Sequence, residues 1–168
     1  MRAVNIVAIV VLYSVCVSAF CLPPSLHSLP TSQRRDKLAD EQDIKEAVFR
    51  YQFDHNGSGQ QQNAKVYFLS INQTSDPGDD FMNKFRDNKP PVRKVSQATV
   101  SADGVVDKQT RERGLLFRIT GVQWLHENEV EVTGGYFESG QSASRSVYTV
   151  KRVNDKWVVQ KEKLKRMS

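Results

Sequence analysis

The stretch "VYTVKRVNDKWVV", Val147 to Val159, constrains this chain more than any other, because polar and apolar residues alternate on both sides of Asn154-Asp155. Two strands joined by a two-residue turn suit such a pattern, since side chains on a strand point to opposite faces in alternation. A turn centred there predicts that Arg152 faces Trp157, Val150 faces Val159 and Tyr148 faces Lys161. Val150, Trp157 and Val159 then share one face.

Alternation extends back to Pro91. In "GLLFRITGVQW" the apolar residues are first odd-numbered (Leu115, Phe117, Ile119) and then even-numbered (Val122, Trp124), with the change of phase at Gly121. A strand of period two cannot swap faces without an extra residue, so a bulge or sharp bend is expected there. "EVEVTGGY" puts Val130, Val132 and Tyr136 on a dry side and Glu129, Glu131 and Thr133 on a wet one.

Before Pro91 the period changes. "DEQDIKEAVFRYQFDHNG" places Ile44, Ala47, Val48 and Tyr51 on one helical face, widened by Phe49 and Phe53. Asp40 is read as its cap and Gly57 as its left-handed stop. "VYFLSI", Val66 to Ile71, is short and rich in strand formers, a buried strand. Asp76 is then expected to cap a second helix that runs through Phe81, Met82 and Phe85. The whole reads as α+β: one long N-terminal helix and a short second helix packed on a curved, mainly antiparallel sheet of about five to six strands.

The N-terminus is of another kind. Arg2 is followed by the uncharged apolar run "AVNIVAIVVLYSVCVSAF", and Val17-Ser18-Ala19 offers the small residues that a signal peptidase reads. The expected organisation is a signal peptide over 1–19, a flexible Pro/Ser-rich spacer over 20–36 and a single domain over 37–168. The run from Ala3 to Leu22 is about 20 residues, also long enough for an uncleaved anchor. Either way the domain is exported, secreted or extracytoplasmic, in the periplasm or envelope if the source is bacterial. Cys16 leaves with the signal, so Cys21 is the remaining thiol; a lipid on it is weighed against Phe20, where a lipobox needs a small residue.

Chemistry finds few footholds. "GGYFESGQSASRSVYTV" invites comparison with a phosphate cradle (Gly134, Gly135, Gly140) or a serine nucleophile elbow (Gly140, Ser142, Ser144). Both need a helix directly afterwards, and "RSVYTV" is a strand. The stretch is read instead as a five-residue hairpin loop with Gly140 at positive φ and a solvated Ser142. His27, His55 and His126 fall in the spacer, at a helix end and in a turn, poor places for a general base. His126, Glu127 and Glu129 lack standard metal-ligand spacing, and "SDPGDD" lacks that of a calcium loop. No catalytic, cofactor or metal residue is assigned. Asn56 and Asn72 begin glycosylation sequons that matter only in a eukaryote.

The net charge of +5 is scattered rather than gathered on one element. "DKQTRERG" and "KEKLKRMS" are basic but carry no aromatic to stack a base, and export also argues against nucleic acid. They are read as solvated strand ends, and membrane contact is expected only through the N-terminal segment or a lipid on Cys21.

The order helix, strand, short helix and meander, ending in the Tyr148 to Val159 hairpin, resembles the nuclear transport factor 2-like superfamily, close in architecture to the cystatin-like folds. The resemblance covers about Asp40 to Leu164. It implies a curved sheet wrapped around a helix with a conical pocket, used by some members for isomerase, dehydratase or hydrolase chemistry and by many for binding alone. Catalytic members place an Asp, His or Tyr deep in that pocket. Here no Asp-His pair falls on an inward strand position, so no catalytic residue is carried over. The expectation is a non-catalytic binding or accessory module acting through the concave face, with a small apolar ligand or another envelope protein as partner. The alternative is a small pocket enzyme. Tyr67, Tyr136 and Tyr148 are the polar groups best placed to line a cavity.

Overall fold

The computed structural model describes residues 31 to 167. The expected signal, residues 20 to 30 of the expected spacer and with them Cys21 lie outside them. The chain is α+β, one long helix and one short one on a mainly antiparallel sheet.

Helix α1 spans Thr31–Asp54. It starts well before Asp40, and residues 31 to 36 are its first turns rather than spacer. "TSQRRDKLAD" shows no apolar period, yet it is rich in good helix formers and free of Gly and Pro. Asp40 is therefore an interior residue and not the cap. Gly57 does not take a left-handed conformation either. The Asn56 side chain closes the helix, its Nδ2 donating to the carbonyls of Gln52 at 2.9 Å and Phe53 at 3.1 Å. Helix α2, Asp79–Asn83, begins at Gly78 without a side-chain cap, because Asp76 accepts the Ser96 amide instead.

The sheet has eight strands, not five or six. They are β1 Val66–Ile71, β2 Val92–Lys94, β3 Ala98–Ser101, β4 Gly104–Asp107, β5 Arg113–His126, β6 Glu129–Ser139, β7 Ser142–Val153 and β8 Lys156–Met167. The extra strands are the short β2, β3 and β4, three or four residues each. The β3–β4 turn is Ala102-Asp103, and Gly104, the first residue of β4, takes φ +145°. The order is β2-β1-β5-β6-β7-β8, with β4 also on β5. β1 runs parallel to both neighbours, as a strand returning across a covered face must.

Two apolar clusters lie on opposite faces of the sheet. On the inner face α1 lays Ile44, Val48, Phe49 and Phe53 against Leu69, Leu115, Phe117, Ile119, Val130, Val132 and Val150. On the outer face the β3–β4 hairpin covers Val66, Phe68 and Leu116. Asp107, 0% exposed, fixes that hairpin: its carboxylate takes Arg93 Nη1 at 2.7 Å and the amides of Gln109 and Thr110 at 2.8 and 2.9 Å. Burial alone would raise its pKa, but the two amides and the guanidinium outweigh it and hold the carboxyl below its ordinary value.

Bulges shape the long strands. The β5–β6 register shifts between Ile119 and Gly121, where the sequence changes phase, leaving Thr120 as the extra residue. The β6–β7 connection is a tight turn at Gly140-Gln141, not a five-residue loop, and Gly140 has no positive φ. In the last hairpin Arg152 faces Trp157 and Val150 faces Val159, as the turn dictates. Tyr148 does not face Lys161. The register slips by one beyond Val150, so Thr149 faces Lys161 and Tyr148 faces Glu162, with Gln160 as the extra residue. A second slip lies between Arg145 and Ser146, with Lys165 as its extra residue.

Candidate cleft on the concave face

Most of the concavity is filled. Phe49, Phe53, Tyr67, Phe81, Phe85 and Phe117 form a continuous set of tilted and edge-on rings with centroids 4.9 to 6.3 Å apart. Tyr67 belongs to this packing and not to a cavity wall: it is buried, and its hydroxyl donates to the Gln61 carbonyl at 3.4 Å. Burial pushes its phenol up, and the charge of Asp54 adds to that.

Where α1 ends, the filling ends too. A cleft of about 540 Å³ opens between the last turn of α1 and the β7–β8 ribbon. Tyr51, Gln52 and His55 line it from the helix, and Tyr136, Tyr148 and Glu162 from the sheet. Of the three tyrosines singled out in the sequence, Tyr136 and Tyr148 are here.

The bulge at Gln160 explains how a carboxylate comes to lie on an otherwise apolar face. Trp157 and Val159 point inward; after the extra residue the parity changes, and Glu162 points inward in place of Lys161. Glu162 then accepts the Ser146 hydroxyl at 2.7 Å. Tyr148 faces Glu162 across the ribbon and is 2% exposed. Burial pushes its phenol up to about 12; the Gln52 amide and Ser146 oppose the rise, and Glu162 adds to it. Tyr51 meets Tyr148 edge-on at 5.8 Å, and its phenol is also raised, by burial first and then by Glu162. His55 stacks on Tyr51 at 4.1 Å and forms the exposed lip.

Gln52 reaches this place because Gly134 faces it. A Cβ on Gly134 would lie 2.8 Å from Gln52 Nε2 and 2.4 Å from the Arg118 carbonyl oxygen, too close for any side chain. Gln52 Nε2 donates to that carbonyl at 3.4 Å, and Gln52 Oε1 is buried without a partner.

The serine-rich stretch is held differently from the sequence expectation. Ser142 is not solvated: its hydroxyl donates to Glu138 Oε2 at 2.8 Å, which also accepts Ser58 at 2.6 Å. Burial would raise the Glu138 pKa, but these hydroxyls and the amides of Gly59 and Gln60 bring it below its ordinary value. Glu138 thus serves as the shared acceptor of Ser58 and Ser142. Among the described residues no three His, Cys, Asp or Glu side chains converge as a metal site.

Sequence reasoning missed Gln52, Ser146 and Glu162. Gln52 left a signal, a polar residue four after Val48 on the apolar stripe. Glu162 left none.

A scan of family models, a search of curated proteins and a search of solved structures each find no match to this chain.

Proposed function

We propose that this chain is an exported, non-catalytic binding domain whose concave cleft takes one small ligand, an apolar body carrying a hydrogen-bond donor. The geometry of the cleft carries this reading: aromatic walls surround one inward carboxylate, and the rest of the concavity is filled. Glu162 is the acceptor for the donor, and the rings of Tyr51, Tyr136 and Tyr148 are the surface for the body. The remainder of the cone is packed with aromatic side chains, which fits a binding member of the nuclear transport factor 2-like architecture better than a catalytic one.

The test is a screen of small aromatic amines and phenols against the full chain by saturation-transfer NMR. Compounds should bind the wild type and lose their signal with Glu162→Gln. Binding indifferent to that change, or conversion of any compound into product, would refute the proposal. Export is tested separately by N-terminal sequencing of protein recovered outside the cytoplasm, which should begin at Phe20.

A further inference from the structure

The outer face of the sheet carries a second polar feature, independent of the cleft. Arg118 on β5 faces Gly135 on β6. The β6–β7 pairs Gly134 with Ser146 and Phe137 with Ala143 bracket Gly135 and put Arg145 opposite it, and Arg145 faces Arg166 on β8. Three arginines thus lie in one row across four strands, with a glycine between the first and the second.

Such a row needs explanation, because like charges directly opposite each other on adjacent strands are destabilising. None of the three forms an ion pair with a carboxylate among the described residues. The nearest acid on this face by register, Glu131, sits four residues along β6 in the row of Thr149 and Lys161. Lys161 and Lys163 add positive charge on β8.

The glycine leaves a hollow. A Cβ on Gly135 would lie 2.0 Å from the Ser144 carbonyl oxygen, so no side chain can stand there, and a cavity of about 320 Å³ is lined by Arg118, Arg145, Thr120 and Gln73. Arg118 is half-buried, its guanidinium 5.2 Å above the Phe137 ring and its Nε buried without an acceptor. Stacking fixes the plane of the guanidinium and directs its fork sideways. Arg118 and Arg145 stand two strands apart, about 10 Å at the backbone, a span their side chains can close from both sides.

We propose that this hollow is a binding site for a tetrahedral oxyanion of the phosphate kind, gripped between Arg118 and Arg145. A planar guanidinium offers paired N–H donors that match two oxygens of a phosphate, and two of them on opposite walls supply charge and orientation together. The anion also relieves the repulsion between Arg145 and Arg166. The phosphate belongs to a soluble ligand or to a lipid headgroup; the chemistry of recognition is shared.

The experiment follows the arginine side-chain Nε–Hε resonances of the ¹⁵N-labelled full chain during titration with inorganic phosphate, sodium chloride being reduced to hold ionic strength constant. Saturable shifts at Arg118 and Arg145 are expected. Arg145→Gln, at an exposed position that leaves folding intact, should weaken the apparent affinity about tenfold, whereas Lys161→Gln should change it less than about twofold. A parallel arm adds phosphatidylcholine vesicles with and without phosphatidylglycerol. Saturation by free phosphate with no vesicle effect assigns a soluble ligand. Broadening of the two arginines by the anionic vesicles alone, abolished in Arg145→Gln, assigns a headgroup. Shifts that grow linearly without saturation, or equal responses of wild type and Arg145→Gln in both arms, overturn the proposal.

Discussion

The β7–β8 ribbon has two halves built from similar residues, and they do opposite things. Near the turn, Val150, Trp157 and Val159 point inward and are dry; Trp157 is 7% exposed and meets Trp124 edge-on at 5.6 Å. Its single polar atom, Nε1, donates to Asp40 at 3.0 Å, which is what the expected cap does instead of capping. Farther along, the inward residues are Ser146, Tyr148 and Glu162, and they line the cleft or bond within it. One extra residue, Gln160, separates the two regimes. A bulge therefore decides more than local twist: it chooses which of two neighbouring side chains, Lys161 or Glu162, enters the concavity.

The comparison breaks hardest at the dry half. Trp157→Ala should cost about 3–5 kcal/mol in urea melts, since it removes a buried indole and strips Asp40 of its donor. An unchanged midpoint would show that the turn half contributes no more than the distal half. Glu162→Ala keeps the bulge but removes the carboxylate that it turns inward. Stability should fall by roughly 1–3 kcal/mol in urea melts, because Ser146 loses its charged acceptor, and binding in the cleft should disappear. Ligand affinity surviving that substitution would mean that Glu162 is not the anchor.

Tyr148→Phe sharpens the contrast through pH. The phenol is raised in the fold from an ordinary 10.0 to about 12, so between these values the unfolded chain loses its proton while the native state keeps it. The stabilisation is complete below pH 10 and is lost as pH rises through the folded value. The Tyr148 share of the drop should be at most about 2–3 kcal/mol over that window, and the phenylalanine variant should lose that share while keeping the part due to Tyr51 and Tyr67, also raised. Identical alkaline limbs in urea melts would place Tyr148 in a wet site. The smallest effect belongs to the solvent side of the dry half: Val158→Thr, at a residue 41% exposed, should shift stability by less than about 0.5 kcal/mol in the same melts.

Two of the bulges on this sheet also show what a sequence reveals and what it hides. At Gly121 apolar residues continue on both sides of the irregularity, so the change of parity is written in the chain. At Gln160 the apolar series stops at Val159 and only Leu164 and Met167 follow within "QKEKLKRM", so nothing marks the slip and Tyr148 is paired with the wrong residue. The alternating strands, the inward face of β6 and the apolar stripe of α1 were legible because burial imposes a period. The first turns of α1 and the hairpin of β3 and β4 were not, the former because it buries no stripe and the latter because three or four residues hold too little of a period. The cleft was half legible for the same reason: Tyr136 and Tyr148 lie on a period, whereas Glu162 and Gln52 depend on register and on the approach of a helix to Gly134.

The Gln160 bulge bears on solubility as well. β8 is an edge strand, and an unprotected edge is a template on which another chain can add a strand and begin to aggregate. Two bulges within its length, at Gln160 and Lys165, break the even row of donors and acceptors that an incoming strand would need. Lys156, Lys161, Lys163 and Lys165 set ammonium groups along the same border. A newly made chain meets this hazard each time it folds, and the irregularity that turns one glutamate inward also closes the border to recruitment.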